Sequence, residues 1–448
     1  MADSGVSRQL ARFVTGSRWQ DIPEETRRQA SLAVLNVAAT GLAGARDVAL
    51  RRLGAALAPF SGPATSTVIG AKDRRDAPTA AFLNAAAMNV HDFDDTHEGT
   101  IIHPSAPVAA ALMAVAETMP MTGADFLHAF VLGTEVECRI GNAISPGHYD
   151  RGWHITSTCG VFGAAVAVGT LLRLDEDQVL SALGNASAQA GGLVETLGFM
   201  AKSISVGNAA RNGLLSALMA KAGVEGPPRP LEGPRGFLTV SADTVDLDAL
   251  TRDLGITFEL SRNALKLYPC GVVLMPVIDA CLALRDQVDP AAIDSVVITG
   301  HPLLKARTDR PAIVTGREAQ VSAQHAAAAS LLRGSAGLDD FSDAAVNDPA
   351  VASLRARVQP VAVDPACPVE RAEVLVRLAD GRECRHAIDA ARGSLANPAT
   401  VEDIERKFRT LAAWGCPDVN AERALQTAHA LEHLDDAADL PRALKPAR

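Results

Sequence analysis

The chain has 448 residues, a formal charge of −10 at pH 7 and a pI near 5.6. No basic stripe is available to displace counterions from phosphate, which argues against nucleic acid and anionic membrane as partners. The length points to two domains. Seven cysteines, scattered, odd in number and never spaced C-x-x-C, argue against a disulfide framework or a zinc ribbon and fit a reducing cytoplasm.

From about residue 5 to 58 the pattern is helical, with Pro23-Glu24-Glu25 opening a helix that runs through Ala30 to Leu35. A helix over 77–90 leads into an acidic, histidine-rich cluster, and 107–119 is almost wholly Ala, Val, Leu and Met, so it should be buried in a bundle. Further helices are predicted over 124–143, 161–172, 178–190 and 209–222. The Pro/Gly-rich stretch 225–234 cannot continue a helix and is predicted as a long loop. Beyond it come a strand over 295–299 and a hairpin, 374–378 with 382–386, turning through Ala379-Asp380-Gly381. Helices over 275–284 and 318–332 alternate with these strands, and the tail 401–434 is helical again and expected to pack back on the first helices. The fold class is therefore mainly α: an all-helical domain, 1–260 with 391–448, and a smaller α+β domain, 261–390. The N-terminal residues lack a positive n-region followed by an apolar core, and no apolar run is long enough to span a bilayer, so a cytoplasmic chain is expected.

The chemistry concentrates in His91-Asp92-Phe93-Asp94-Asp95-Thr96-His97 and the following His103-Pro104-Ser105. Three imidazoles and the carboxylates of Asp92, Asp94 and Asp95 lie within thirteen residues of an alanine-rich chain. They could ligate a divalent metal, but no H-E-x-x-H or two-histidine-one-carboxylate spacing is present. Alternatively the carboxylates orient the imidazoles and fix their tautomers, which needs no cofactor and is the favoured reading. Walker, G-x-S-x-G and strand-linked G-x-G-x-x-G motifs are missing.

Four further placements stand out. His103 precedes Pro104-Ser105, His154 precedes Thr156-Ser157, Lys202 precedes Ser203 and Ser205, and Lys266 precedes Tyr268-Pro269. Each puts a cationic or proton-carrying side chain a few residues ahead of a plausible helix start, where free N–H groups favour an anion. Only seven of the 42 basic residues are lysine, so a lysine inside an apolar segment asks for a reason. Convergence of the four ends would suit a substrate carrying two or more carboxylates.

The motifs His91-Asp-Phe-Asp-Asp-Thr-His97 with His103-Pro-Ser-Ala-Pro107, Gly152-Trp-His-Ile-Thr156 with Gly160-Val-Phe-Gly163, Lys202 ahead of Gly207-Asn-Ala-Ala210, and Lys266-Leu-Tyr-Pro-Cys270 occur in this order. Together they resemble the MmgE/PrpD family. The resemblance implies a large helical domain, a smaller α+β lid, a homodimer and metal-independent chemistry without a cofactor. The shared step it implies is removal of a proton next to a carboxylate, followed by loss of water, loss of carbon dioxide or reprotonation.

Position by position, the resemblance places the site on Asp92, Thr96, His103, His154, Lys202 and Lys266, with His91, Tyr268 and His325 as further substrate contacts. Lys202 and Lys266 would hold substrate carboxylates and developing enolate charge. His103 and His154 would share base and acid roles. Asp92 would fix an imidazole tautomer, Thr96 would donate to a carboxylate, and His325 would complete the site on lid closure.

Three departures stand against direct transfer of a substrate: Ser205 and Met275 where relatives often carry histidine, and His325 where decarboxylase-like members carry tyrosine. Met275 is read as core filling. A dehydratase-type lyase on a small di- or tricarboxylate ranks first. An epimerase of an iminodisuccinate-like substrate, a decarboxylase of cis-aconitate type, a metal-dependent hydrolase and a non-catalytic metabolite-binding dimer are the alternatives. Alanine at Lys202 or Lys266 is expected to abolish turnover and leave the melting temperature nearly unchanged.

Overall fold

The computed structural model describes residues 5–447 and divides into two compact units. Residues 1–4, part of the stretch read for a leader, lie outside the described residues. The first unit comprises Met1–Val90, Asp94–Asn263 and Val401–Arg448; the second comprises His91–Phe93 and Ala264–Thr400.

The first unit is helical, and its centre is built from helices with no polar face. Every residue of the Ser105–Ala116 helix is buried, as are all but Thr170 in the Ile155–Leu171 helix. Such helices are stable only when surrounded, and the Gly123–Ile144, Ser105–Ala116 and Met200–Lys221 helices pack against Ile155–Leu171. Glycine permits the close approach: a Cβ at Gly133 would lie 2.7 Å from the Gly163 carbonyl oxygen, and one at Gly213 would lie 2.5 Å from Ala164 Cβ.

Side-chain caps set several starts. Asp76 accepts from the Thr79 amide, and Thr122 with Asp125 and Asp175 with Gln178 form capping boxes. The C-terminal Val401–Gly415 helix packs on Glu24–Gly44, where the buried Lys407 donates to Asn36 Oδ1 at 2.7 Å. Among the described residues no single helix is long and apolar enough to cross a membrane.

Two of these helices begin earlier than the sequence pattern predicts, at Ile155 rather than 161 and at Met200 rather than 209. The hydroxyls that resemble caps serve carbonyls instead: Ser157 Oγ lies 2.5 Å from the Gly191 carbonyl oxygen and 3.1 Å from that of His154, and Ser205 Oγ donates to the Lys202 carbonyl. Lys202 therefore lies inside a helical first turn rather than ahead of one.

The second unit packs helices on a four-stranded sheet. Ala362–Val363 runs parallel to Ile293–Gly300, which pairs antiparallel with Ala372–Leu378, and that strand pairs antiparallel with Glu383–Ile388. The predicted hairpin holds, with Gly381 at φ +86° in its turn, a conformation glycine adopts at little cost. The Met275–Leu284 helix covers the last two strands. Met275 is buried in that core, as its core-filling reading requires. The helix predicted over 318–332 is two, Gly316–Ala319 and Ala323–Arg333, because the Ser322 side chain caps the second by accepting from the His325 amide.

Candidate active site

The unit boundary divides the histidine-rich cluster: His91–Phe93 belong to the second unit, and Asp94 to His103 belong to the first.

In the first unit, His103 is buried and leads into the Ser105–Ala116 helix. Its amide donates to Thr156 Oγ1 at 3.1 Å, tying it to the first turn of the Ile155–Leu171 helix. Its Nδ1 lies 2.8 Å from the Asp95 carbonyl oxygen, 3.3 Å from Asp94 Oδ1 and 3.4 Å from Thr96 Oγ1. A carbonyl and a carboxylate can only accept from a ring nitrogen, so the proton sits on Nδ1 and the basic lone pair on Nε2. Asp94 is held in turn by Asn89 Nδ2 at 2.8 Å, and Asn89 Oδ1 accepts from Ser203 Oγ at 3.2 Å. The network thus reaches the helix that carries Lys202.

His154 is the N-terminal boundary residue of the Ile155–Leu171 helix, but its side chain does not cap it. Its Nδ1 lies 3.1 Å from Ser205 Oγ, and Ser205 donates its only proton to the Lys202 carbonyl at 2.7 Å. Ser205 must therefore accept, which places the proton on His154 Nδ1 and again leaves Nε2 basic. Ser205→Ala is predicted to lower turnover about fivefold through loss of one hydrogen bond worth roughly 1 kcal/mol. Ser205→Thr should retain the rate, and steady-state kinetics on the three proteins check this.

Lys202 is buried in the first turn of Met200–Lys221. Neither that helix nor Ile155–Leu171 has a side-chain cap at its start, so the N-terminal amides of both remain suited to an anion. In the first unit the fold thus links His103, Thr96, His154 and Lys202 through Thr156, Asp94, Asn89, Ser203 and Ser205.

Asp95 and His97 serve the scaffold. Asp95 Oδ2 accepts from Ser105 Oγ and from Asn263 Nδ2. Burial raises its carboxyl above the usual range, opposed by those two donors. His97 is occupied on both ring nitrogens, by Glu259 Oε2 at 2.9 Å and Thr100 Oγ1 at 2.8 Å.

In the second unit four of the expected site residues make contacts within the protein. Asp92 meets Lys266: the fully buried Nζ donates to the Asp92 carbonyl at 2.7 Å and lies 3.3 Å from its Oδ1. The chain turns at Asp92 with φ +51°. Lys266 does not precede a helix start, since the next helical turns begin at Val272 and Met275. Tyr268, expected to bind substrate, donates its hydroxyl to Asp279 Oδ1 at 2.5 Å.

His325, also expected to contact substrate, is fully buried in the unit's interior. Its Nε2 donates to the Asp340 carbonyl at 2.8 Å, Nδ1 lies 3.5 Å from Arg355, and Phe341 packs edge-on. His91 is half-buried just past the C-terminal end of the Ala77–Asn89 helix.

Burial lowers the His325 imidazole to about 4. The folded state therefore keeps it neutral while the unfolded chain, titrating near 6.5, takes up a proton, so stability falls as pH drops from about 6.5 to 4. His325→Leu is predicted to remove roughly 3 kcal/mol of that pH dependence, read as the difference between urea-unfolding curves at the two ends of the window.

Asn89, Ser203 and Asn263 were not singled out as site residues from sequence, and Asp94 only as one carboxylate of the histidine-rich cluster. Their only signal is position: polar residues at the ends of, or interrupting, otherwise apolar segments. Among the described residues all seven cysteines are free thiols.

A buried histidine network at uncapped helix starts, in a mainly helical chain with a small sheet unit, defines a class of helical acid–base proteins. Comparison then identifies the family. The MmgE/PrpD N-terminal domain model matches residues 8–249 and the MmgE/PrpD C-terminal domain model matches residues 268–433. The chain is 28% identical to a cis-aconitate decarboxylase of Mus musculus, over 98% of this chain and 93% of the relative. It is 30% identical to one of Homo sapiens, over 86% and 83%, and 28% identical to a cis-aconitate decarboxylase-like protein of Aspergillus oryzae, over 99% and 97%. The chain belongs to the MmgE/PrpD family, and a lyase-type enzyme of that family is the class these relatives support.

Proposed function

We propose that the protein is a lyase that moves a proton at the carbon next to a carboxylate of a small di- or tricarboxylate. The observation that carries this reading is the pair His103 and His154. Each is fixed with its proton on Nδ1 and its lone pair on Nε2, His103 being tied to the first turn of the Ile155–Leu171 helix and His154, at the start of that helix, to Ser205 of Met200–Lys221. For loss of water or for reprotonation one Nε2 takes the substrate proton and the other, once protonated, assists the leaving group or returns a proton. For loss of carbon dioxide the carbon–carbon bond breaks, its electron pair is held as enolate charge, and a protonated imidazole delivers a proton to carbon. Lys202 and the uncapped helix starts hold substrate carboxylate and stabilise enolate charge.

The relatives favour loss of carbon dioxide from a cis-aconitate-like tricarboxylate over loss of water, which reverses the order reached from sequence. Ser205 favours a proton route in which His154 works without a second imidazole at that position. Incubating the protein with hydroxy-, imino- and unsaturated di- and tricarboxylates, cis-aconitate among them, and identifying products by NMR tests the assignment. A decarboxylated acid supports the first outcome and an alkene or hydrated acid the second. Binding without conversion of any of them would replace the enzyme reading with a metabolite-binding one.

A further inference from the structure

Glu137 lies in the Gly123–Ile144 helix and is completely buried. Neither carboxyl oxygen has a hydrogen-bond partner. The facing Ile155–Leu171 helix makes room for it with glycine: a Cβ at Gly163 would stand 2.5 Å from Glu137 Oε2, and one at Gly160 would stand 3.3 Å away. Two glycines within a buried helix cost roughly 1 kcal/mol each relative to alanine. An apolar residue in place of a buried, unserved acid would ordinarily be neutral or stabilising, so packing alone gives no reason for a carboxyl here.

The complementary orphan is Asp95. Its Oδ2 is served by Ser105 and Asn263, while its Oδ1 is buried and accepts nothing. A carboxylate without a donor cannot remain ionised cheaply in such a place, and burial, with the Asp95 charge adding to it, raises the Glu137 carboxyl well above the usual range. The other titratable groups around it are the thiols of Cys138 on its own helix and Cys159 on the facing one, both held as neutral thiols by burial. One buried acid thus has a proton to donate, and its charged neighbour has an acceptor to fill.

We propose that Glu137 is a positioning residue for His103: a neutral acid whose proton serves Asp95 Oδ1, by side-chain rotation or across one bridging water, and so holds from its buried side the Asp95–Ser105 segment that orients the imidazole. The proposal rests on His103 being the proton carrier, but its test needs no substrate. Glu137→Gln keeps a donor for Asp95, whereas Glu137→Leu and Glu137→Met do not.

The full-length protein, labelled with 15N at histidine and 13C at the glutamate carboxyl, is titrated by NMR, with the His103 resonance assigned by its loss in His103→Asn. The wild type should show a protonated glutamic acid at neutral pH that is missing from all three Glu137 variants. The His103 midpoint should be kept by Gln and displaced by roughly half a unit or more in whichever apolar variant folds. Absence of the protonated acid, or an apolar variant whose His103 titrates as in the wild type, would overturn the proposal. Failure of every polycarboxylate to react would leave these readouts unchanged and would count against the proposed function instead.

Discussion

His103→Asn is expected to lower turnover by roughly 10²- to 10⁴-fold, the range that one positioned acid–base group contributes, while the protein stays folded. The choice of asparagine follows from the geometry. Its side-chain N–H can replace Nδ1–H as the donor to the Asp95 carbonyl and the Asp94 carboxylate, so the buried acceptors around position 103 stay served. Only the distal nitrogen is lost, and with it the lone pair. His97→Asn is the matched control: that imidazole is engaged by Glu259 and Thr100 on both sides, so its loss should lower stability without touching the chemical step. Product formation measured beside the melting temperature separates the two. Equal loss of rate in both variants would mean that His103 matters only as scaffold.

Lys266→Ala is expected to destabilise the second unit by about 3–5 kcal/mol, the cost of removing one partner from a buried ion pair. This departs from the expectation from sequence that its melting temperature would hardly change. Lys266 serves both the carbonyl and the carboxylate of Asp92, a residue held at φ +51°, where non-glycine backbone is strained by roughly 1–3 kcal/mol. Without the ammonium, the carboxylate loses its cation and the turn loses its brace. Adding Asp92→Asn to Lys266→Ala should recover part of the loss by removing the uncompensated charge. Chemical unfolding of the single and double variants gives the coupling directly. A Lys266→Ala protein as stable as the wild type would mean that the pair contributes no net stability.

The helical unit was legible in the sequence because its central helices are apolar on every side, and that pattern has no other soluble solution. The hairpin was legible because Asp380-Gly381 stands between alternating segments. Helix starts at Ile155 and Met200 were not, because Ser157 and Ser205 have the composition of caps but serve carbonyls instead. His103, His154 and Lys202 could be named from sequence, but the groups that set their protonation could not. Asp92 and Asp94 are chemically equal in the sequence, which does not say that Lys266 reaches the first or that His103 lies beside the second. His325 looked functional because a histidine in an alanine-rich helix is conspicuous; its role is to satisfy the Asp340 carbonyl inside a core. Glu137 gave no sign at all, since an acid in a long helix ordinarily faces water.

The claim that one of two imidazoles takes a proton next to a carboxylate is tested most directly by proton NMR in deuterium oxide, following the hydrogen on the carbon beside each carboxylate of a bound polycarboxylate. The account predicts that the wild type replaces that hydrogen with deuterium, or loses it with product formation, and that His103→Asn does so at least a hundredfold more slowly. Conversion of the polycarboxylate with that hydrogen fully retained and no deuterium gained at carbon would contradict it.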